Sequence, residues 1–157
     1  MANLILIRHG DALHPAEAMI QGLLDSERPL TQLGQEQVLR SASEISKKLV
    51  QTKPLLIVSS PYVRAVQTAE LIMNQLKKDN FHITEMKQNA CFVPDEDSSL
   101  AVDVIGEYVD EGKNDQVIVV SHLPIISEMF SELCRRVKQD KKSSASFSTA
   151  EWKFVVL

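Results

Sequence analysis

Apolar residues along this chain fall into two kinds of pattern. Leu4-Ile5-Leu6-Ile7, Leu55-Leu56-Ile57-Val58 and Val117-Ile118-Val119-Val120 are continuous aliphatic runs. Runs of that kind predict strands buried on both faces, as in a parallel sheet covered by helices. Between them, apolar residues recur at helical spacing. Leu39, Ala42, Ile45 and Leu49 form one stripe behind Thr31, a candidate N-cap. Ala65, Ala69, Ile72 and Leu76 form another behind Ser60-Pro61, with Pro61 expected at the first helical position. A third helix carries Ala101, Val104, Ile105 and Tyr108 and is expected to stop at Gly112. Pro124 opens a fourth, with Ile125, Ile126, Met129, Phe130 and Leu133 facing inward. Residues 81–86 predict a short strand, and Phe147 with residues 152–157 predicts closing strand material. Residues 11–30, containing Pro15, Gly22 and Pro29, form a long polar connection of the kind that is usually functional or mobile. Residues 88–99, with Pro94, read as a loop, and 138–144 as a flexible connection. No internal repeat is visible. The alternation predicts one α/β domain over residues 1–157, a three-layer α/β/α sandwich with a mostly parallel central sheet.

Composition narrows the function classes. The chain has 157 residues, 44% hydrophobic and 24% charged, enough for one sizeable core. Aromatics make up 5%, so that core is expected to be aliphatic. A net charge of -4 argues against nucleic-acid binding. The one basic cluster, Arg135-Arg136 through Lys141-Lys142, is interrupted by Gln139 and Asp140 and reads as a solvated helix end. Cys91 and Cys134 make no disulfide framework and lack metal-ligand spacing to a histidine; Cys134 is expected in the core. No signal-type segment opens the chain and no run reaches membrane-spanning length, so a cytoplasmic location is expected.

The candidate chemistry sits where strands end. In parallel sheets, ligands bind beyond the carboxyl ends of the strands. The first run ends in Arg8-His9-Gly10 and the last in Ser121-His122, so two distant histidines can face one pocket. Gly10 would allow a sharp turn and close ligand approach. Arg8 offers a planar donor fork suited to phosphate oxygens, and its charge disfavours the imidazolium form of His9. Arg64 lies in the first turn of a helix, where free N–H groups also attract anions. Taken singly, each residue also fits an ordinary structural role. Together, three strand-to-helix junctions carrying Arg8 and His9, Arg64, and His122 are hard to assign to packing.

In chain order, Arg8-His9-Gly10, Ser60-Pro61-x-x-Arg64-Ala65-x-Gln67-Thr68-Ala69 and Ser121-His122 resemble the signature of the histidine phosphatase superfamily, the phosphoglycerate-mutase-like fold. Arg8-His9-Gly10-Asp11-Ala12, Arg28-Pro29-Leu30-Thr31 and Ser121-His122-Leu123-Pro124 resemble its short SixA-type branch of phosphohistidine phosphatases. The resemblance implies a phosphohistidine intermediate on His9, with a phosphate pocket built by Arg8, Arg64 and His122. Arg28 is implied as a further phosphate or substrate contact. It implies no metal or other cofactor, and as partner a phosphorylated histidine-containing phosphotransfer protein. The alternatives are a small-molecule phosphomonoesterase of the same superfamily and a non-catalytic phosphate-sensing domain.

One part of the larger relatives' pattern is missing. Many use a loop carboxylate to protonate an alcohol leaving group, and the corresponding region, Ala90-Cys91-Phe92-Val93-Pro94, holds none. Asp11, Asp95, Glu96 and Asp97 remain candidates for a general acid. An imidazole leaving group, with a conjugate-acid pKa near ~6.5, needs less help than an alkoxide. The gap and the short chain, with little sequence for a lid, both favour a protein-borne phosphohistidine.

Overall fold

Alternate residues of the predicted runs face opposite sides of one sheet. The computed structural model describes residues 1–109, 113–138 and 144–157. Strands β1 (Asn3–Arg8), β2 (Leu55–Ser59), β3 (Ile83–Gln88), β4 (Gln116–Ser121) and β5 (Trp152–Val156) form a sheet in the order β3-β2-β4-β1-β5. β1, β2, β3 and β4 pair in parallel, and β5 pairs antiparallel with β1 at the edge. Leu4, Leu6, Leu56, Val58, Val117 and Val119 pack with helices α4 (Ser98–Tyr108) and α5 (Ile125–Arg136). Ile5, Ile7, Leu55, Ile57, Ile118 and Val120 pack with α2 (Gln32–Lys48) and α3 (Val63–Lys78). Helices on both faces make the predicted three layers. They also explain the unbroken runs, because neither face of the central strands meets water.

Thr31 caps α2, its side chain accepting from Gly34 N–H. Ala65, Ala69, Ile72 and Leu76 are fully buried along α3, and all five inward residues predicted for the helix after Pro124 are buried along α5. Cys134 is buried as well.

Several expectations are corrected. Leu39 is 45% exposed, and Val38 takes its place in the core. Gly34, Val38, Ala42 and Ile45 share the inward face of α2, which turns the neighbouring Leu39 outward. Pro61 lies before α3 rather than within it. Tyr62 is the N-cap, and the Ser60 hydroxyl accepts from the Tyr62 N–H at 3.3 Å, shaping the turn that leads in. The third strand begins two residues later than predicted. Phe147 is buried in the core, outside β5. Residues 11–30 are not simply a loop. They hold a short helix, α1 (Pro15–Ile20), and a 3-10 turn, Asp25–Glu27. A bridge between Ala12 and Leu30 cinches the segment at its base. Helix α4 ends at Tyr108, with Val109 as its C-cap, short of the expected stop at Gly112; Gly112 and residues 139–143 lie outside the described residues. The basic pair beside them is ionically satisfied: Arg135 bonds to Glu132, and Arg136 reaches Glu132 and Asp103 at 2.8 Å each. Among the described residues, no helix is long and apolar enough to cross a membrane.

Candidate active site

Strand order brings the predicted residues together. β2, β4 and β1 are neighbours, and Arg8 pairs in register with Ser121. The residues that follow, His9 and His122, therefore emerge side by side at the carboxyl edge. Their ring centroids are 4.9 Å apart. Ser60 leaves β2 on the other side of β4, and α3 carries Arg64 back toward the same edge.

The hydrogen bonds of His9 set its protonation. Nδ1 lies 2.7 Å from the Gly10 carbonyl, which can only accept, so Nδ1 carries the proton. Nε2 then has a lone pair, and Arg64 Nε donates to it at 3.2 Å. Burial lowers the His9 pKa to about 4. The Gly10 carbonyl opposes that shift, and the charges of Arg64, Arg8 and Arg28 add to it. Burial thus outweighs the guanidinium effect expected from Arg8. His122 falls further, to about 2, through burial and then the charges of His9 and the three arginines. Its Nε2 is 2.8 Å from Ser60 Oγ, while its Nδ1 is buried without a partner among the described residues.

Arg64 is 3% exposed and uses its whole fork. Beyond His9, Nη1 donates to the Asp25 backbone carbonyl at 2.6 Å and Nη2 to the Asp25 carboxylate at 3.2 Å. Arg28 donates to the other oxygen of that carboxylate at 2.8 Å, and to the Leu13 carbonyl at 2.8 Å. A single carboxylate therefore bridges the two arginines. Its own partial burial opposes ionisation, but the Arg28 hydrogen bond and the Arg64 charge hold it below its ordinary range. Arg8 anchors one nitrogen on the Phe147 carbonyl at 3.0 Å; its Nε is buried and has no partner among the described residues. Its charge still bears on both imidazoles.

Three of the four candidate acids are bonded to structural partners. Asp11 accepts from the Thr31 hydroxyl at 2.6 Å and so ties the end of β1 to the start of α2. Asp97 caps α4, Glu96 accepts from the Asp97 N–H, and Asp95 is exposed. Asp25, Ser60 and Tyr62 are site neighbours to which the sequence assigned no role there. The Tyr62 ring lies 5.0 Å from the Arg64 guanidinium and 5.1 Å from the His122 ring. Gln67 accepts from the Leu30 N–H at 2.8 Å, holding the Arg28 segment to α3. Thr68 accepts from Gly10 N–H at 3.2 Å and donates to the Arg64 carbonyl at 2.8 Å. Gly10 has no left-handed φ. Close packing is what requires it, since a Cβ there would stand 2.6 Å from the Gly34 carbonyl oxygen. Among the described residues, no group of three or more His, Cys, Asp or Glu side chains is placed to hold a metal ion.

Known proteins resemble this chain in sequence and in fold. Residues 4–88, more than half of the chain, match the family profile of the histidine phosphatase superfamily (branch 1). The chain is similar to the phosphohistidine phosphatase SixA of Escherichia coli (strain K12), with 28% identity over 135 residues, 84% of this chain and 74% of that protein. It also resembles a glucosyl-3-phosphoglycerate phosphatase of Mycolicibacterium vanbaalenii, 41% identical over 67 residues. That match covers 43% of this chain and only 27% of the relative. A solved structure of the protein histidine phosphatase SixA complexed with tungstate superposes with a TM-score of 0.73 and 26% identity. It covers 99% of this chain and 88% of that one.

Proposed function

The chain belongs to the histidine phosphatase superfamily, and from that premise we propose that it is a phosphohistidine protein phosphatase acting through His9. Its substrate on this reading is a histidine-containing phosphotransfer protein. The observation that carries the reading is the tautomer of His9. A neutral imidazole with Nδ1–H on the Gly10 carbonyl presents Nε2 as the nucleophile, beside Arg64 and a second imidazole.

Attack forms a bond from His9 Nε2 to phosphorus and breaks the phosphorus–nitrogen bond of the substrate. The departing imidazole keeps the proton on its other nitrogen and leaves neutral. His9 becomes a phospho-imidazolium, whose Nδ1–H stays on the Gly10 carbonyl. Charge on the equatorial oxygens is met by Arg8, Arg28, Arg64 and His122, for which Asp25 must give way. Water then attacks phosphorus, its proton leaves with phosphate, and neutral His9 returns. The fixed cations are guanidinium groups, so the scheme calls for no metal.

Two features support a protein-borne phosphohistidine. Asp25 is the carboxylate bonded to the arginines of the site among the described residues, and its low pKa makes it a poor proton donor. An imidazole leaving group needs none. The rim is also apolar: a cleft of about 270 Å3 lined by Pro15, Ala18, Met19, Leu23 and Leu24 ends on Asp25 and Arg28. Met19, Ile20 and Leu24 are exposed beside it. Such a rim suits a protein surface more than a sugar phosphate.

Hydrolysis of a phosphorylated phosphotransfer domain, measured beside a panel of phosphomonoesters, tests the reading. The expected result is a kcat/KM for the phosphodomain far above that of any ester, with acid-labile phosphate trapped on wild-type protein and not on His9→Ala. A preference for sugar phosphates would select the second reading, a small-molecule phosphomonoesterase. The segment similar to glucosyl-3-phosphoglycerate phosphatase favours that one. No turnover of any substrate would leave a phosphate-sensing domain.

A further inference from the structure

His122 is 1% exposed and Ser60 fully buried, so the arrangement that leaves the fewest polar groups unpaired between them is favoured. Ser60 Oγ accepts the Tyr62 N–H at 3.3 Å and lies 2.8 Å from His122 Nε2. If His122 donated from Nε2, Ser60 would accept twice, and its own hydroxyl proton would have no acceptor among the described residues. If Ser60 donates instead, Tyr62 N–H pairs with Oγ and O–H with Nε2, and a single ring N–H is left over in place of an orphaned hydroxyl proton and an orphaned ring lone pair. The ring is neutral, so one proton remains, and it must sit on Nδ1. That nitrogen is the buried ring atom without a partner among the described residues. The ring carrying it stands 4.9 Å from His9.

We propose that Ser60 is a positioning residue that fixes His122 as its Nδ1–H tautomer, reserving an unpaired ring N–H for an oxygen of the phosphoryl group on its way to and from His9. The inference rests on the phosphatase reading but not on the identity of the substrate. A neutral histidine is a hydrogen-bond donor in only one direction at a time, and the partner on its other nitrogen selects the direction. With the opposite tautomer, Nδ1 would turn a lone pair toward the phosphoryl oxygens and repel them. Ser60 thus acts through His122, and the apparent orphan Nδ1 is the donor left open for substrate.

Nitrogen-15 NMR of the full chain labelled at its four histidines tests this without any turnover, the His122 signals being identified by their loss in His122→Gln. The expected wild-type spectrum has a pyrrole-like Nδ1 and a pyridine-like Nε2 at His122, and orthovanadate should shift the Nδ1 signal. In Ser60→Ala the tautomer should switch or mix, and kcat on the best phosphorylated substrate should fall about tenfold or more. An Nε2–H tautomer in the wild-type protein would overturn the proposal, even if Ser60→Ala failed to fold. So would a Ser60→Ala variant that loses activity with the tautomer unchanged, or one that keeps its kcat. Because the spectra need no substrate, a failure of the phosphohistidine reading would leave this result standing and be told apart from it.

Discussion

Arg64 donates through Nε to Nε2 of His9 at 3.2 Å, so the guanidinium touches the very nitrogen expected to take the phosphoryl group. Its two other nitrogens reach Asp25. A planar fork is needed to do this, which a lysine ammonium cannot reproduce. Arg64→Ala is expected to lose about 2–4 kcal/mol of transition-state stabilisation. Arg64→Lys should recover only a small part of it. Steady-state kcat/KM of the two variants checks this; equal activity of Lys and Arg would show that charge alone suffices.

Both imidazoles tie stability to pH. His9 titrates at about 4 in the fold against an ordinary 6.5, and His122 at about 2. Between those values the unfolded chain binds protons that the folded chain does not. Stability is therefore fully present above about pH 6.5 and declines as the pH falls, by about 1.4 kcal/mol per pH unit for each imidazole. For His9 the decline ends near pH 4, and for His122 it continues lower. Urea midpoints measured between pH 7.5 and 4.5 on wild type and His9→Asn check the sign. The variant should show the shallower fall, by about one proton's worth. Parallel profiles would mean that His9 titrates normally in the fold.

What the sequence revealed and what it hid differ in range. The runs 4–7 and 117–120 were legible because burial on both faces leaves no polar residue in them, and His9 and His122 were legible because each marks where a run stops. Parallel pairing then did the rest, since adjacent strands in register deliver adjacent ends. Val38 was missed in favour of Leu39 because two neighbouring apolar residues give the helical stripe a choice that only packing decides. Asp25 was missed for another reason. Its contact with Arg64 spans 39 positions and depends on how residues 11–30 fold back, which no local pattern encodes. Ser60 was visible, but as a helix cap; its second bond, to His122, exists only across β2 and β4.

Asp25 holds the two arginines to which the proposed mechanism assigns the phosphoryl group. Its carboxylate is bonded to Arg28 at 2.8 Å and to Arg64 at 3.2 Å. An arriving anion must displace it. Asp25→Asn removes the competing charge, and inhibition by orthophosphate or orthovanadate should then tighten about three- to tenfold. The tightening should shrink at high salt. Weaker inhibition in the variant would instead mean that Asp25 holds the two arginines in place for the substrate.

Gly34 is a last test, far from the chemistry in sequence but close to its scaffold. A Cβ built there would stand 2.0 Å from the Asp11 carbonyl oxygen, which no side-chain rotation relieves because the obstacle is backbone. That carbonyl accepts the Thr31 N–H at 2.9 Å, and the Asp11 carboxylate accepts the Thr31 hydroxyl, so the end of β1 is pinned to the start of α2 at this point. Gly34→Ala must push the two apart. It is expected to cost roughly 2–3 kcal/mol, a fall in Tm of about 5–10 °C for a chain of this size. Activity should fall as well, because His9 and Gly10 lie directly before Asp11. Thermal unfolding and kcat/KM measured on the same preparation check both. An unchanged Tm would show that residues 10–12 can move away from α2 freely, and that the histidine is not held from this side.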